Sequence, residues 1–255
     1  MARIAVILFL TVAALYLGFC LLLFVTQRSL IYLPQPSALG SPATTFRLAG
    51  VEVEVLVSVR PREGAKALLY FGGNAEDVSR SLPSFSEDFP EHAIYLLHYR
   101  GFGGSGGAPS EEAIQRDALA LFDVVYAEHP EVLVVGRSVG SGVAVRLASQ
   151  RPVSRLVLVT PLYSLEELAA RAYPFIPVRW LLRDKFESWR YAPLVAAPTV
   201  LVVAENDEIV PRVGAERLHA SFGKGVARLR VIPGARHNTI SESPRYLEAL
   251  KGAPQ

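Results

Sequence analysis

Cysteine is nearly absent from this chain: the one residue, Cys20, excludes an internal disulfide and any cysteine-based metal site. Charge of either sign is never concentrated. The net charge is +2 and no run of lysine or arginine stands out, so the composition offers no footing for a nucleic-acid partner. Internal repeats and low-complexity stretches are missing too, which excludes a solenoid or an array. Histidine is scarce, at five residues, so any catalytic base has few contenders. What the chain has instead is apolar bulk, about half of its 255 residues, enough for one full-sized core and one domain.

The longest uncharged run covers residues 4–25, IAVILFLTVAALYLGFCLLLFV, 22 residues. As a helix rising about 1.5 Å per residue it would span roughly 33 Å, enough to cross a bilayer. A cleaved signal has a shorter apolar region and a small-residue cleavage site. This run ends in FVTQRS, and bulky Phe19 before Cys20 fits no lipoprotein cleavage. The expectation is an uncleaved, single-pass transmembrane anchor over residues 1–28 and a catalytic domain over 29–255. The short connector RSLIYLPQPSALGSP keeps that domain close to the membrane, on its extracytoplasmic side.

Residues 51–59, VEVEVLVSV, alternate apolar and polar in period two, the mark of a half-buried strand near a sheet edge. Apolar runs at 67–71, 93–97 and 132–135 and strand-like runs at 155–159, 199–203 and 229–232 read as further strands. Between them lie helical stretches. Residues 111–129 carry Ala113, Ile114, Ala118, Leu121 and Val125 along one side, with Ser110 placed to cap. Strands alternating with helices predict an α/β fold, a mainly parallel sheet covered on both faces.

The chemistry centres on VLVVGRSVGSGVAVRLA, residues 132–148, where an apolar strand runs into Gly136-Arg137-Ser138-Val139-Gly140 and then a helix. A serine on so sharp a turn has its hydroxyl lifted clear of the sheet, and glycines two positions either side remove side chains that would clash. Ser138 is the candidate nucleophile. It needs a base, and a third group to hold that base in one tautomer. His92 and His129 read as surface residues, His219 as solvated, and His98 as a neighbour of the site. His237 follows the strand-like LRVIPG near the C-terminus, which delivers it to the carboxyl edge of the sheet. Asp207, after the strand at 199–203, supplies the acid, with Glu205 and Glu208 as alternatives. The order Ser138, Asp207, His237 distinguishes this arrangement from other serine enzymes. The backbone N–H groups of Asn74, behind Gly72-Gly73, and of Val139 are placed to form an oxyanion hole.

The segments QRSLIYLPQP, FGGNAED, HYRGFGGSGGAPSE, GRSVGSGVA, AENDEIVP and GARHN together resemble the α/β-hydrolase superfamily, within it the membrane-anchored BEM46 / ABHD13-like serine hydrolase group. That resemblance implies Ser138, Asp207 and His237 as a catalytic triad and the amides of Asn74 and Val139 as the oxyanion hole. Two departures stand out: Gly72 where the group commonly has histidine before Gly-Asn-Ala, and His98 where an aspartate often precedes Tyr-Arg-Gly.

Residues 161–197 occupy the place where this fold commonly inserts a cap. They are rich in aromatics, most of which read as packing over the sheet, with Tyr173 and Phe175 as candidate walls for an acyl group. The function expected is hydrolysis of a carboxylic ester or thioester through an acyl-serine, on a small-molecule or lipid-like substrate, with no metal or organic cofactor. A peptidase or acyltransferase of the same fold, or a membrane-tethered binding protein without turnover, are the alternatives.

Overall fold

The computed structural model of the chain describes residues 1–37, 45–48 and 53–252. The apolar run forms a helix that extends beyond it, α1 (Ala2–Tyr32), which ends where Leu33 turns left-handed. The body that follows holds strands β1 (Thr45–Arg47), β2 (Leu56–Arg60), β3 (Lys66–Phe71), β4 (Ala93–Leu97), β5 (Glu131–Arg137), β6 (Arg155–Val159), β7 (Thr199–Ala204) and β8 (Ala227–Ile232). Helices between them are α2 (Leu82–Asp88), α3 (Glu111–Glu128), α4 (Val139–Ala148), α5 (Leu165–Ala172), α6 (Val178–Leu181), α7 (Ser188–Tyr191), α8 (Arg212–Ser221) and α9 (Pro244–Lys251). Among the described residues these strands make one eight-stranded sheet in the order β1-β2-β4-β3-β5-β6-β7-β8, parallel from β4 to β8, with β1 and β2 antiparallel at one edge.

The central strands read as unbroken apolar runs because both of their faces are buried. Leu69, Phe71, Val134 and Leu158 face one core with α3, α4 and α8, while the intervening Leu68, Tyr70, Val135 and Val159 face a second core with α2 and α9. Each such residue, fully buried, contributes about 1.5–3 kcal/mol relative to exposure. Ser110 caps α3 by accepting from the Ala113 N–H at 3.2 Å, and the predicted stripe from Ala113 to Val125 is buried.

The edge strand starts later than its alternation suggests. Residues 51 and 52 lie outside the described residues, and pairing begins at Leu56, because residues 53–55 turn toward the glycine loop after β4. There Gly106 N–H donates to Glu54 O at 2.7 Å and Leu56 N–H to Ser105 Oγ at 2.9 Å. β1 had no signal in the sequence pattern. Parallel pairing brings the carboxyl ends of β3, β5, β7 and β8, and the loops after them, to one edge of the sheet.

Candidate active site

Ser138 sits between β5 and α4 with φ 50° and ψ −118°. A non-glycine residue held there carries about 1–3 kcal/mol of strain, so its surroundings must over-determine it. They do. Its N–H donates to Val159 O at 2.9 Å, and its carbonyl accepts from Ser141 N–H at 2.9 Å and Ser141 Oγ–H at 2.5 Å. Both flanking glycines are sterically required: a Cβ on Gly136 would lie 2.5 Å from Gly140 O, and one on Gly140 would lie 2.1 Å from Phe71 O. The helix therefore starts pressed against the end of β3.

Asp207 lies in the turn after β7, where its Oδ1 accepts from the Val210 N–H at 2.7 Å and the Ile209 N–H at 3.0 Å. Those bonds aim the carboxylate at the loop after β8. His237 Nδ1 lies 2.9 Å and 3.0 Å from its two oxygens, and the side chains are 5% and 1% exposed. A carboxylate oxygen accepts, so Nδ1 is the donor of this pair and Nε2 is the ring nitrogen left free of Asp207. Glu205 is committed elsewhere, accepting from Gly234 N–H at 2.8 Å. Among the described residues no hydrogen bond joins Ser138 Oγ to His237; contacts of this kind are commonly long before substrate binds. What ties the two loops is Arg137, whose Nη2 donates to Asn238 Oδ1 at 3.3 Å and to His237 O at 3.5 Å.

The loop after β3 is braced by residues the sequence reading passed over. Glu76 Oε2 accepts from the Gly73 N–H at 2.7 Å and from Arg137 Nη1 at 3.0 Å, while Oε1 accepts from the Tyr70 hydroxyl at 2.6 Å. Burial pushes the Tyr70 phenol well above its ordinary value, which keeps it a donor. Tyr99, likewise pushed up by burial, donates its hydroxyl to Gly72 O at 2.8 Å. These contacts hold the loop that has Gly72 in place of histidine, and a Cβ at position 72 would lie 2.5 Å from Val78 Cγ1. The one signal for Glu76 and Arg137 was their nearness in sequence to Asn74 and Ser138. Among the described residues, the N–H groups of Asn74 and Val139 donate to no protein acceptor.

Both of those residues and Ser138 line a cavity of about 410 Å³, within the range of roughly 300–1,000 Å³ typical of small-molecule sites. Its wall is apolar, with Leu162, Leu165, Leu168 and Tyr173 among its members. Phe175 is a correction: it is 86% exposed and absent from that wall, because the chain turns after α5 and points it outward. Of the other aromatics of 161–197, Phe186 packs edge-on to Tyr32 and Tyr163 stacks on Trp189, while Trp180 is 87% exposed.

The remaining histidines stand apart from these groups. His129, expected at the surface, is buried, accepting or donating at Tyr95 Oη (3.2 Å) and donating to Gly64 O (2.7 Å). His98 is bonded to Ser58 Oγ at 2.7 Å under the close-packed Gly103.

A family model described as serine aminopeptidase, S33 (Hydrolase_4) matches residues 88–193. An uncharacterized protein of Mycobacterium tuberculosis is 34% identical over 89% of this chain and 86% of its own length. Protein bem46 of Schizosaccharomyces pombe is 24% identical over 94% of the chain and 89% of its own length. The lysophosphatidylserine lipase ABHD12 of Xenopus tropicalis is 28% identical over 72% of the chain, which spans 56% of that lipase. Among solved structures, the Pyrococcus furiosus esterase Pf2001 superposes with a TM-score of 0.70 at 18% identity, over 86% of this chain and 94% of the esterase, a likeness of fold.

Proposed function

Because the chain belongs to the BEM46-like group of the α/β-hydrolase family, we propose that it is a membrane-anchored serine hydrolase that cleaves carboxylic esters or thioesters of long acyl chains. One observation carries the reading: Ser138, held in the strained turn, opens onto an apolar cavity beside two N–H groups that have no protein acceptor among the described residues.

In the first half-reaction Ser138 Oγ adds to the acyl carbonyl as His237 Nε2 takes its proton. Asp207 fixes the ring tautomer and steadies the imidazolium that forms. The amides of Asn74 and Val139 stabilise the oxyanion, each such donor contributing about 2.7–4 kcal/mol where tested one at a time. His237 then protonates the leaving alcohol or thiol, and water releases the acyl-serine by the reverse sequence. The 31-residue helix α1 serves as the single-pass anchor. Exposed Trp180 and Phe175, the latter accepting at its carbonyl from the Tyr16 hydroxyl at 2.8 Å, suit a domain face resting on the lipid.

Peptide hydrolysis is the second reading, favoured by the description of the matched family model. An aminopeptidase must hold an ammonium group, yet among the described residues the cavity wall carries no acidic side chain. Membranes containing the chain, treated with a fluorophosphonate probe and then assayed on acyl esters, thioesters and aminoacyl amides, separate the two. The expected result is labelling that Ser138→Ala abolishes, with turnover of esters or thioesters only. Amide turnover alone would favour the peptidase, and no labelling of either chain would refute both.

A further inference from the structure

A membrane tether needs no part in the site it carries, and its sequence here would be satisfied by any apolar helix. The structure of α1 is more specific. Its first five turns are exposed, with Ile4, Phe9, Leu15 and Leu21 each more than half accessible, as befits a lipid-facing surface. Its last turns are built into the body by polar contacts that a simple tether would lack. Gln27, 8% exposed, donates through Nε2 to Leu181 O at 3.0 Å and accepts at Oε1 from the Arg183 N–H at 2.8 Å. Arg28 makes a two-pronged contact with buried Asp184, at 2.8 and 3.1 Å. Tyr32 O accepts from the Ala75 N–H at 2.9 Å, one residue beyond Asn74. The end of α1 is thus fixed both to the segment between β6 and β7 and to the loop that flanks the nucleophile.

Between these fixed points α1 forms one side of the cavity. Leu23, Phe24, Gln27, Leu30 and Ile31 line it, together with side chains from α5 and α6 and with Ser138. From Leu23 to Leu30 the helix rises roughly 10 Å, so the lined stretch runs from the end of the lipid-exposed apolar surface toward the nucleophile. Apart from Gln27, the side chains that α1 places along the cavity are apolar, and no charged side chain lines it among the described residues.

We propose that α1 is a specificity element of the enzyme: its C-terminal turns bind the acyl chain of a membrane lipid and guide it from the bilayer to Ser138, so that the chain need not cross water. The occupant is a long, flexible acyl group, with its carbonyl at Ser138 and its head group outside the apolar wall. This rests on the hydrolase reading above and adds to it the route and the side chains that measure acyl length.

The test uses the full chain in lipid nanodiscs. Leu23→Trp fills the cavity from the helix side, at the end farther from Ser138, and Val25→Trp, on an exposed face outside it, is the control. Ester hydrolysis is followed for butanoyl and hexadecanoyl substrates, with labelling by a short ethyl fluorophosphonate as a check on the site. The expected result is a fall in kcat/KM for the long ester of about tenfold or more, of the size that lost or blocked methylene contacts produce. Short-ester turnover and labelling should stay within about twofold of wild type, and the control unchanged on both esters. Parallel loss on short and long esters, or a long-ester rate equal to the control's, would overturn the proposal. A second measurement avoids any folding defect: a long alkyl fluorophosphonate with a diazirine midway along its chain is attached to wild-type Ser138 and irradiated. Crosslinks on residues 23–31 support the proposal, and crosslinks confined to residues 162–182 contradict it. Absence of any Ser138 adduct on wild type would instead refute the hydrolase reading itself.

Discussion

Arg137, next in the chain to Ser138, forms an ion pair with Glu76 at 3.0 Å, although the two lie 61 positions apart. The same Glu76 oxygen receives the Gly73 N–H, and the same guanidinium reaches the His237 loop. One pair therefore sets the spacing between the loop that carries Asn74 and the loop that carries His237. Both side chains are largely shielded, at 23% and 13% exposure, so water competes weakly for the contact.

Glu76→Gln should consequently lower kcat about 10- to 100-fold, since displacing a reacting group by about 1 Å can cost two orders of magnitude. KM should change by less than about twofold, because nothing is removed from the cavity wall. Steady-state kinetics on one ester checks this split, and a change confined to KM would contradict the positioning role.

Gly140→Ala should be severe although it adds a single methyl. The new Cβ would stand 2.1 Å from Phe71 O and 2.5 Å from Gly72 O, atoms of a central strand that cannot move alone. Overpacking of that kind costs about 3 kcal/mol or more, which corresponds to a Tm lower by roughly 6–12 °C for a domain of this size. Differential scanning fluorimetry reads the shift, and an unchanged Tm would show that the turn is looser than these contacts imply.

Tyr173→Ala and Phe175→Ala should part company. Tyr173 lines the cavity and Phe175 points away from it, so only the first should change the preference among acyl lengths. Profiles of kcat/KM against chain length make the comparison, and equal effects from both changes would remove Tyr173 from the acyl wall.

His98 gives stability a pH dependence of known sign. Burial holds its imidazole below the ordinary value of about 6.5, so the unfolded chain takes up the proton first as pH falls. Its contribution is complete above about pH 6.5 and is lost as pH drops through the lowered folded value. Wild type should therefore lose more Tm than His98→Gln between about pH 7 and pH 5, a comparison in which half-buried His92, also held low, acts equally in both chains. Parallel curves would contradict it.

Much of this architecture is legible in local pattern. Runs such as KALLYF and TVLVVA are apolar without alternation because each face of β3 and β7 meets a core, and the strand-turn-helix around Ser138 is announced by glycines that sterics demand. That Asp207 rather than Glu205 meets His237 follows less directly. Both acids end the same strand, and the turn bonds from Ile209 and Val210 decide which one faces inward. Illegible were the features made by distant partners. Glu76 and Arg137 look like ordinary polar residues until β3 and β5 are placed side by side, and the burial of His129 depends on Gly64 and Tyr95. The alternation at 51–59 promised a longer strand because a period-two pattern does not reveal a competing partner, here the loop at 102–106. That the end of α1 lines the cavity was hidden for a similar reason: a residue that lines a cavity and one elsewhere on an apolar helix are equally apolar.

Quenching turnover of a long-chain thioester in acid, then mapping the acyl group by tandem mass spectrometry, tests the central chemistry most directly. A covalent acyl adduct is predicted on Ser138 alone, absent from Ser138→Ala together with its hydrolytic activity. An adduct on a different residue, or undiminished hydrolysis by Ser138→Ala, would contradict acyl transfer through this serine.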